Sequence, residues 1–135
     1  MKIALIQTSL SWEKPNENKA LLQEKINAIS QYVDLIVLPE MFTSGFTMNP
    51  KNVAETMLGE TILWLKDVAK TKNCAITGSL VIEENGNYFN RLVFREDSER
   101  SYFSRVKQHI YRRNEWSVIG IVFLIVLPFL LPILS

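Results

Sequence analysis

Apolar residues recur along this chain at two periods, and the changes between them mark out short elements. Lys2–Thr8 reads as a buried strand. From Asn16 to Ser30, Leu21, Leu22, Ile26 and Ile29 return at helical spacing with polar residues between them. That pattern predicts an amphipathic helix entered at Pro15-Asn16. Asp34–Leu38 is an unbroken apolar run after its first residue, as in a strand of a parallel sheet buried on both faces. Strand, helix, strand in that order implies a right-handed crossover and a parallel pair. Thr43–Glu55 carries Gly45, Pro50 and two asparagines and reads as a loop over the strand ends. Glu60–Lys72, with Ile62, Leu63, Leu65, Val68 and Ala69, predicts a second amphipathic helix. Cys74–Ile82 reads as a third strand, Asn85-Gly86-Asn87 as a hairpin turn, and Tyr88–Arg95 as the antiparallel return. Asp97–Arg100 follows as a polar turn and Ser101–Val106 as a last short strand. The class is α/β.

The segment from Asp34 to Phe46 carries most of the functional signal. Pro39 cannot donate a ladder hydrogen bond, so the second strand should stop there. Glu40 is then left at the carboxyl end of a central strand, where open α/β sheets gather ligands and catalytic groups. A carboxylate partly withdrawn from water there suits proton transfer. The plainer reading is an acid that caps the following loop, and position alone does not separate the two.

Leu38-Pro39-Glu40-Met41-Phe42 with Gly45-Phe46 resembles the first catalytic motif of the nitrilase, or carbon–nitrogen hydrolase, superfamily, and within it the omega-amidase-like branch. The opening Met1–Thr8 with Trp12, then Gly59-Glu60-Thr61, Ile76–Leu80 and Tyr88–Leu92, fit the same family in its order. The resemblance covers residues 1–115 and implies part of a four-layer α-β-β-α sandwich. It also implies hydrolysis of a small carboxamide, such as an α-keto acid amide, through a thioester and without metal or organic cofactor.

Such chemistry needs a nucleophile to attack carbon, a base to take its proton and a cation to hold the tetrahedral charge. The family supplies these as cysteine, glutamate and lysine, in the chain order glutamate, lysine, cysteine. Glu40 matches the glutamate, as general base. Val106-Lys107-Gln108-His109-Ile110-Tyr111 resembles the lysine motif, making Lys107 the candidate for oxyanion stabilisation. Val106 and Gln108 depart from it, where the family tends to have Asp and a basic residue. The alternative is an ordinary surface lysine. Glu115 is a weaker match to a second family glutamate, with spacing about one residue short. No cysteine follows Lys107. Cys74 comes before it, at the start of a strand, where a free cysteine usually serves as a small buried hydrophobe. No nucleophile is therefore assigned, and the amidase rate expected of the chain itself is near background.

Composition narrows the alternatives. The 135 residues suffice for one domain. The 15 basic and 14 acidic residues give no electrostatic case for nucleic acid. A single cysteine excludes an internal disulfide, and a single histidine, His109, excludes a His-rich metal site. The N-terminus lacks the basic-then-apolar layout of a signal peptide, which places the body of the chain in the cytoplasm. A small-molecule amide is the expected partner, with homo-oligomers left open.

Residues 116–135 differ from the rest. Val118–Leu134 carries no charge. About 17 residues rising about 1.5 Å each give about 26 Å of helix, just short of a ~30 Å hydrocarbon core. Arg112 and Arg113 stand at its entrance, which would keep the globular part on the cytoplasmic side. The run reads as a membrane anchor, as a buried element of the fold, or as out-of-frame translation replacing the part that should hold the cysteine. The abrupt change mid-domain favours the third. Two functional expectations follow: a truncated, inactive carbon–nitrogen hydrolase, or a membrane-tethered, non-catalytic binding module on a decayed hydrolase scaffold.

Overall fold

A computed structural model of the chain describes residues 1–96 together with the backbone of residues 110 and 111. Its elements are β1 (Ile3–Leu5), α1 (Pro15–Asn27), β2 (Leu35–Val37), α2 (Glu60–Lys72), β3 (Ala75–Glu84), β4 (Asn87–Arg95) and β5 (Ile110–Tyr111). The five strands form one sheet in sequence order. β1 pairs parallel with β2, in register Ile3 with Leu35, and β2 pairs parallel with β3, in register Leu35 with Ala75. β4 then returns antiparallel along β3, and β5 pairs antiparallel with β4 through Asn90–Tyr111 and Arg91–Ile110. The sheet is thus mixed, with β2 flanked on both sides as its apolar run implies.

Local chemistry explains most boundaries. Pro15 occupies the first turn of α1, where its missing N–H costs nothing. Asn73 ends α2 in the left-handed conformation at φ 50°, a backbone state that asparagine tolerates better than most residues. Asn85 and Gly86 both have positive φ, 53° and 76°, as a two-residue hairpin turn requires. The Gly86 N–H also donates to Glu83 Oε1, and the expected β3–β4 hairpin forms in full.

The helices share one face of the sheet. Leu22 and Ile26 of α1 and Ile62, Leu65, Val68 and Ala69 of α2 pack with Ile36, Ile76, Leu80, Ile82 and Val93 in one core. A hydrogen bond from Trp64 Nε1 to Gln23 Oε1 links the two helices. Leu63, expected on the buried stripe of α2, lies beside it and is exposed. The alternate strand positions Leu35, Val37 and Ala75 form a second, smaller buried cluster on the other face. Among the described residues there is one helical layer and one sheet, half of the four-layer arrangement that the motifs implied. The expected turn at Asp97–Arg100, the strand at Ser101–Val106, Lys107, Glu115 and the apolar run Val118–Leu134 lie outside the described residues. No described helix is long and apolar enough to cross a membrane.

The approach to α2 is also tied to the sheet. Glu55 bridges Ile82 through its backbone, and its carboxylate accepts the Thr61 N–H at 3.0 Å and the Thr61 hydroxyl. This satisfies an orphan donor in the first turn and sets negative charge at the positive end of the helix dipole. Gly59 leaves room for this contact, since a Cβ there would stand 2.8 Å from Glu55 Oε1 and push the carboxylate aside. Glu55→Ala is expected to cost about 1–2 kcal/mol. A lowered urea midpoint at unchanged m-value checks this; an unchanged midpoint contradicts it.

Candidate active site

The loop after β2 is built by an interrupted ladder. The Leu38 N–H donates to the Thr77 carbonyl at 2.8 Å, and the Phe42 N–H to the Ser79 carbonyl at 3.0 Å. Pro39, Glu40 and Met41 are looped out between these two anchors. Pro39 forces the interruption because it has no N–H to continue pairing. Met41 adopts φ 46°, an uncommon left-handed state for a long side chain. Its N–H donates to Ser79 Oγ at 2.9 Å, and its carbonyl accepts from the Ser44 and Gly45 N–H groups. Gly78 lets the loop close, since a Cβ would stand 2.8 Å from the Phe42 ring and 2.9 Å from Leu38 Cβ. Backbone strain held by surrounding hydrogen bonds is a common feature of functional loops.

Glu40 stands on this loop, half-buried, at the carboxyl end of β2. Asn90 Nδ2 of β4 donates to Glu40 Oε1 at 3.2 Å, reaching past the intervening β3. The placement expected from the sequence is the one found. Asn90 belonged to a motif recognised in the sequence, yet its contact with Glu40 was not foreseen. Its signal was an amide in the middle of a strand otherwise rich in Tyr, Phe, Leu and Val.

A second buried amide holds the rim. Asn18 of α1 is 1% exposed. Its Oδ1 accepts the Ser11 N–H, and its Nδ2 donates to the carbonyls of Ser11 and Thr43, each at 2.7 Å. The loops after β1 and β2 are thereby clamped to one side chain. Glu13 N–H to Ser44 O and Trp12 Nε1 to Phe46 O tie the same two loops nearer the surface. Asn18 occupies the position one helical turn before Leu22, and apolar periodicity gave no hint of it.

Cys74 lies elsewhere. It precedes β3 at the opposite end of the strands from the Glu40 loop, five residues before Ser79. At about 3.3 Å per residue, the thiol sits about 16 Å along the strand from the level at which the Glu40 loop is anchored. It is 5% exposed, and its pKa is pushed up to about 11 by burial, partly offset by Lys72 and reinforced by Asp34. It is thus a neutral core thiol at neutral pH. Among the described residues no cluster of His, Cys, Asp or Glu could hold a metal ion.

Residues 2–122 match the carbon–nitrogen hydrolase family. The chain belongs to the carbon–nitrogen hydrolase family. Within that family it is similar to the omega-amidase YafV of Escherichia coli, 30% identical over 112 residues that cover 83% of this chain and 43% of that protein. It is similar also to the 2-oxoglutaramate amidase of Bacillus subtilis, 27% identical, covering 81% of this chain and 46% of the relative. Among solved structures, a CN-hydrolase superfamily protein of Xanthomonas campestris with an arsenic adduct in its active site superposes with a TM-score of 0.71 at 29% identity. That match covers 88% of this chain and 42% of the other. The chain spans less than half the length of the curated relatives it matches. The nitrilase-type α/β fold and the omega-amidase-like resemblance expected from the motifs are both met.

The burial of Cys74 is directly measurable. Because its pKa is raised, the thiolate is scarce at pH 8, and the thiol reacts through opening of the fold. Ellman's reagent at pH 8 is expected to label it at least a hundredfold more slowly in native buffer than in 6 M guanidinium. Equal rates would place the sulfur at the surface.

Proposed function

We propose that this chain is the amino-terminal share of an omega-amidase-type carbon–nitrogen hydrolase, with Glu40 as the general base of its site. The observation that carries the reading is the half-buried Glu40 carboxylate at the carboxyl end of the interior strand β2, held by Asn90 on a strained loop. A loop-capping acid needs neither the interrupted ladder nor a partner two strands away. Lys107 is assigned to the oxyanion by its motif, and β5 supports this in part. Tyr111, four residues after Lys107, pairs with Asn90, the residue that contacts Glu40. Glu115 is the second acid of the set, assigned by motif alone.

The full reaction runs as follows. A cysteine thiol gives its proton to Glu40 as sulfur bonds to the amide carbon. Lys107 faces the resulting oxyanion, and Glu40 returns the proton to the departing nitrogen, so that ammonia leaves and a thioester remains. Water activated by Glu40 then adds to the thioester and frees the acid. The small carboxamides named by the relatives, 2-oxoglutaramate among them, are the substrate class.

The 135 residues lack the sulfur for the first step. No cysteine follows Lys107, and Cys74 is buried at the far end of β3. Without a nucleophile the covalent path is closed, which typically lowers turnover by several orders of magnitude. A second reading rests on the uncharged run Val118–Leu134: a membrane-tethered binding module that keeps the Glu40 pocket. Retention in membranes through carbonate extraction, with release by detergent, distinguishes it.

Ammonia release from 2-oxoglutaramate by the purified chain is expected to equal the buffer rate. Turnover well above it, abolished by thiol alkylation, would overturn the inactivity and return Cys74 to the mechanism.

A further inference from the structure

Ser79 is fully buried in the middle of β3, where a hydroxyl group is unfavourable unless it is hydrogen-bonded. Its oxygen accepts the Met41 N–H at 2.9 Å, and through that bond it reaches the peptide group joining Glu40 to Met41. The loop around Glu40 has few free dihedrals. Ladder bonds at Leu38 and Phe42 close its two ends. The ring of Pro39 fixes φ before Glu40. After it, Met41 is held at φ 46° by hydrogen bonds at both its N–H and its carbonyl. The carbonyl bonds come from Ser44 and Gly45, within the loop itself, and move with it. The N–H bond refers Met41 to the sheet. Ser79 and Asn90 also share a face. Ser79 stands opposite Leu92 and Asn90 opposite Val81, so the two side chains are diagonal neighbours on one side of the β3–β4 hairpin. One grips the peptide after Glu40 and the other its carboxylate.

We propose that Ser79 is a positioning residue of this site: by holding the Met41 N–H, its hydroxyl oxygen sets the backbone from which the Glu40 carboxylate reaches Asn90. The use of that carboxylate rests on the amidase reading given above, whereas the positioning rests on the contacts alone. Ser79 touches no reacting group and acts through Met41. A mere cap would add stability without deciding where Glu40 points. Here the two are coupled through the shared peptide. Without the acceptor a buried N–H is left unpaired, and less offsets the positive φ, which is unfavourable for a long side chain. The peptide then turns so that φ at Met41 becomes negative. Because both ends of the loop are fixed, ψ at Glu40 changes with it. Allowed side-chain rotamers depend on the backbone angles of their own residue, so the one that brings Glu40 to Asn90 loses its setting.

Two NMR signals of the full-length chain read this directly. One is the intraresidue Overhauser peak between the Met41 amide and α protons, which is strong at positive φ. The other is the peak between the Asn90 side-chain amide and the Glu40 γ protons. Ser79→Ala, which removes the oxygen alone, is expected to weaken both roughly threefold or more. Ser79→Cys fills the same space with a weak acceptor and should act alike, so it carries the test if the alanine variant fails to fold. Ser79→Thr keeps the hydroxyl and should retain both signals within about twofold. Val68→Ala, a buried change on α2 outside the loop, loosens the core and should leave both at the parent level. Should folded Ser79→Ala or Ser79→Cys keep the Asn90–Glu40 peak, the inference is overturned while the amidase reading stands. An equal loss in Val68→Ala would make the effect one of stability and overturn it too. Should the parent chain itself lack the Asn90–Glu40 peak, the amidase reading fails and takes the inference with it.

Discussion

The site depends on a single tight contact between the chain leaving β2 and the middle of β3. Leu38 and Phe42 both pair with β3, yet four residue steps on one side are matched by only two, Thr77 to Ser79, on the other. The surplus has to leave the ladder, and Glu40 lies in it. Ser79 takes the N–H that would otherwise be stranded at Met41, and Gly78 gives the Phe42 ring room to seal the core underneath. Positive φ at Met41 would be unfavourable in a free peptide. Here it is compensated by three hydrogen bonds made by Met41's own backbone.

The periphery serves the same loop. Asn18 holds the backbone of two loops with all three of its contacts, and a buried amide is economical for this because it both donates and accepts. Asn90 approaches from the other side, across β3. The loop that carries Glu40 is thereby held from β3 by Ser79 and from α1 by Asn18, and the carboxylate itself by Asn90 of β4, while the core beneath is apolar and closed by both helices. Such division suits a site, because the loop can carry strain without relying on its own contacts for stability.

Much of this was legible in the residues. The unbroken run ending at Pro39 located β2 and the end from which Glu40 projects, since backbone pairing and proline's missing N–H are local facts. Asn85-Gly86 fixed the hairpin for the same reason. What was not legible depends on contacts between distant residues. Asn18 is an ordinary polar position by helical periodicity, and only the fold shows that its face of α1 meets two loops. Ser79 and Asn90 stand at alternating positions of long strands, and nothing in their neighbours tells which of two faces looks toward Glu40. Leu63 failed in the opposite sense: it is apolar and adjacent to the buried stripe, but about a quarter-turn away from it. Chain order set Cys74 apart from the Glu40 and Lys107 motifs, and the structure places it buried at the other end of β3 from the Glu40 loop.

The claim on which the account turns is that Glu40 and Asn90 touch. A nuclear Overhauser measurement between the Asn90 side-chain amide protons and the Glu40 γ protons tests it in solution. The account predicts a clear cross-peak, lost in Asn90→Leu, together with slow exchange of the Asn90 amide protons with water. No cross-peak, with those protons exchanging at the rate of a free asparagine, would put the carboxylate in bulk solvent and contradict the site.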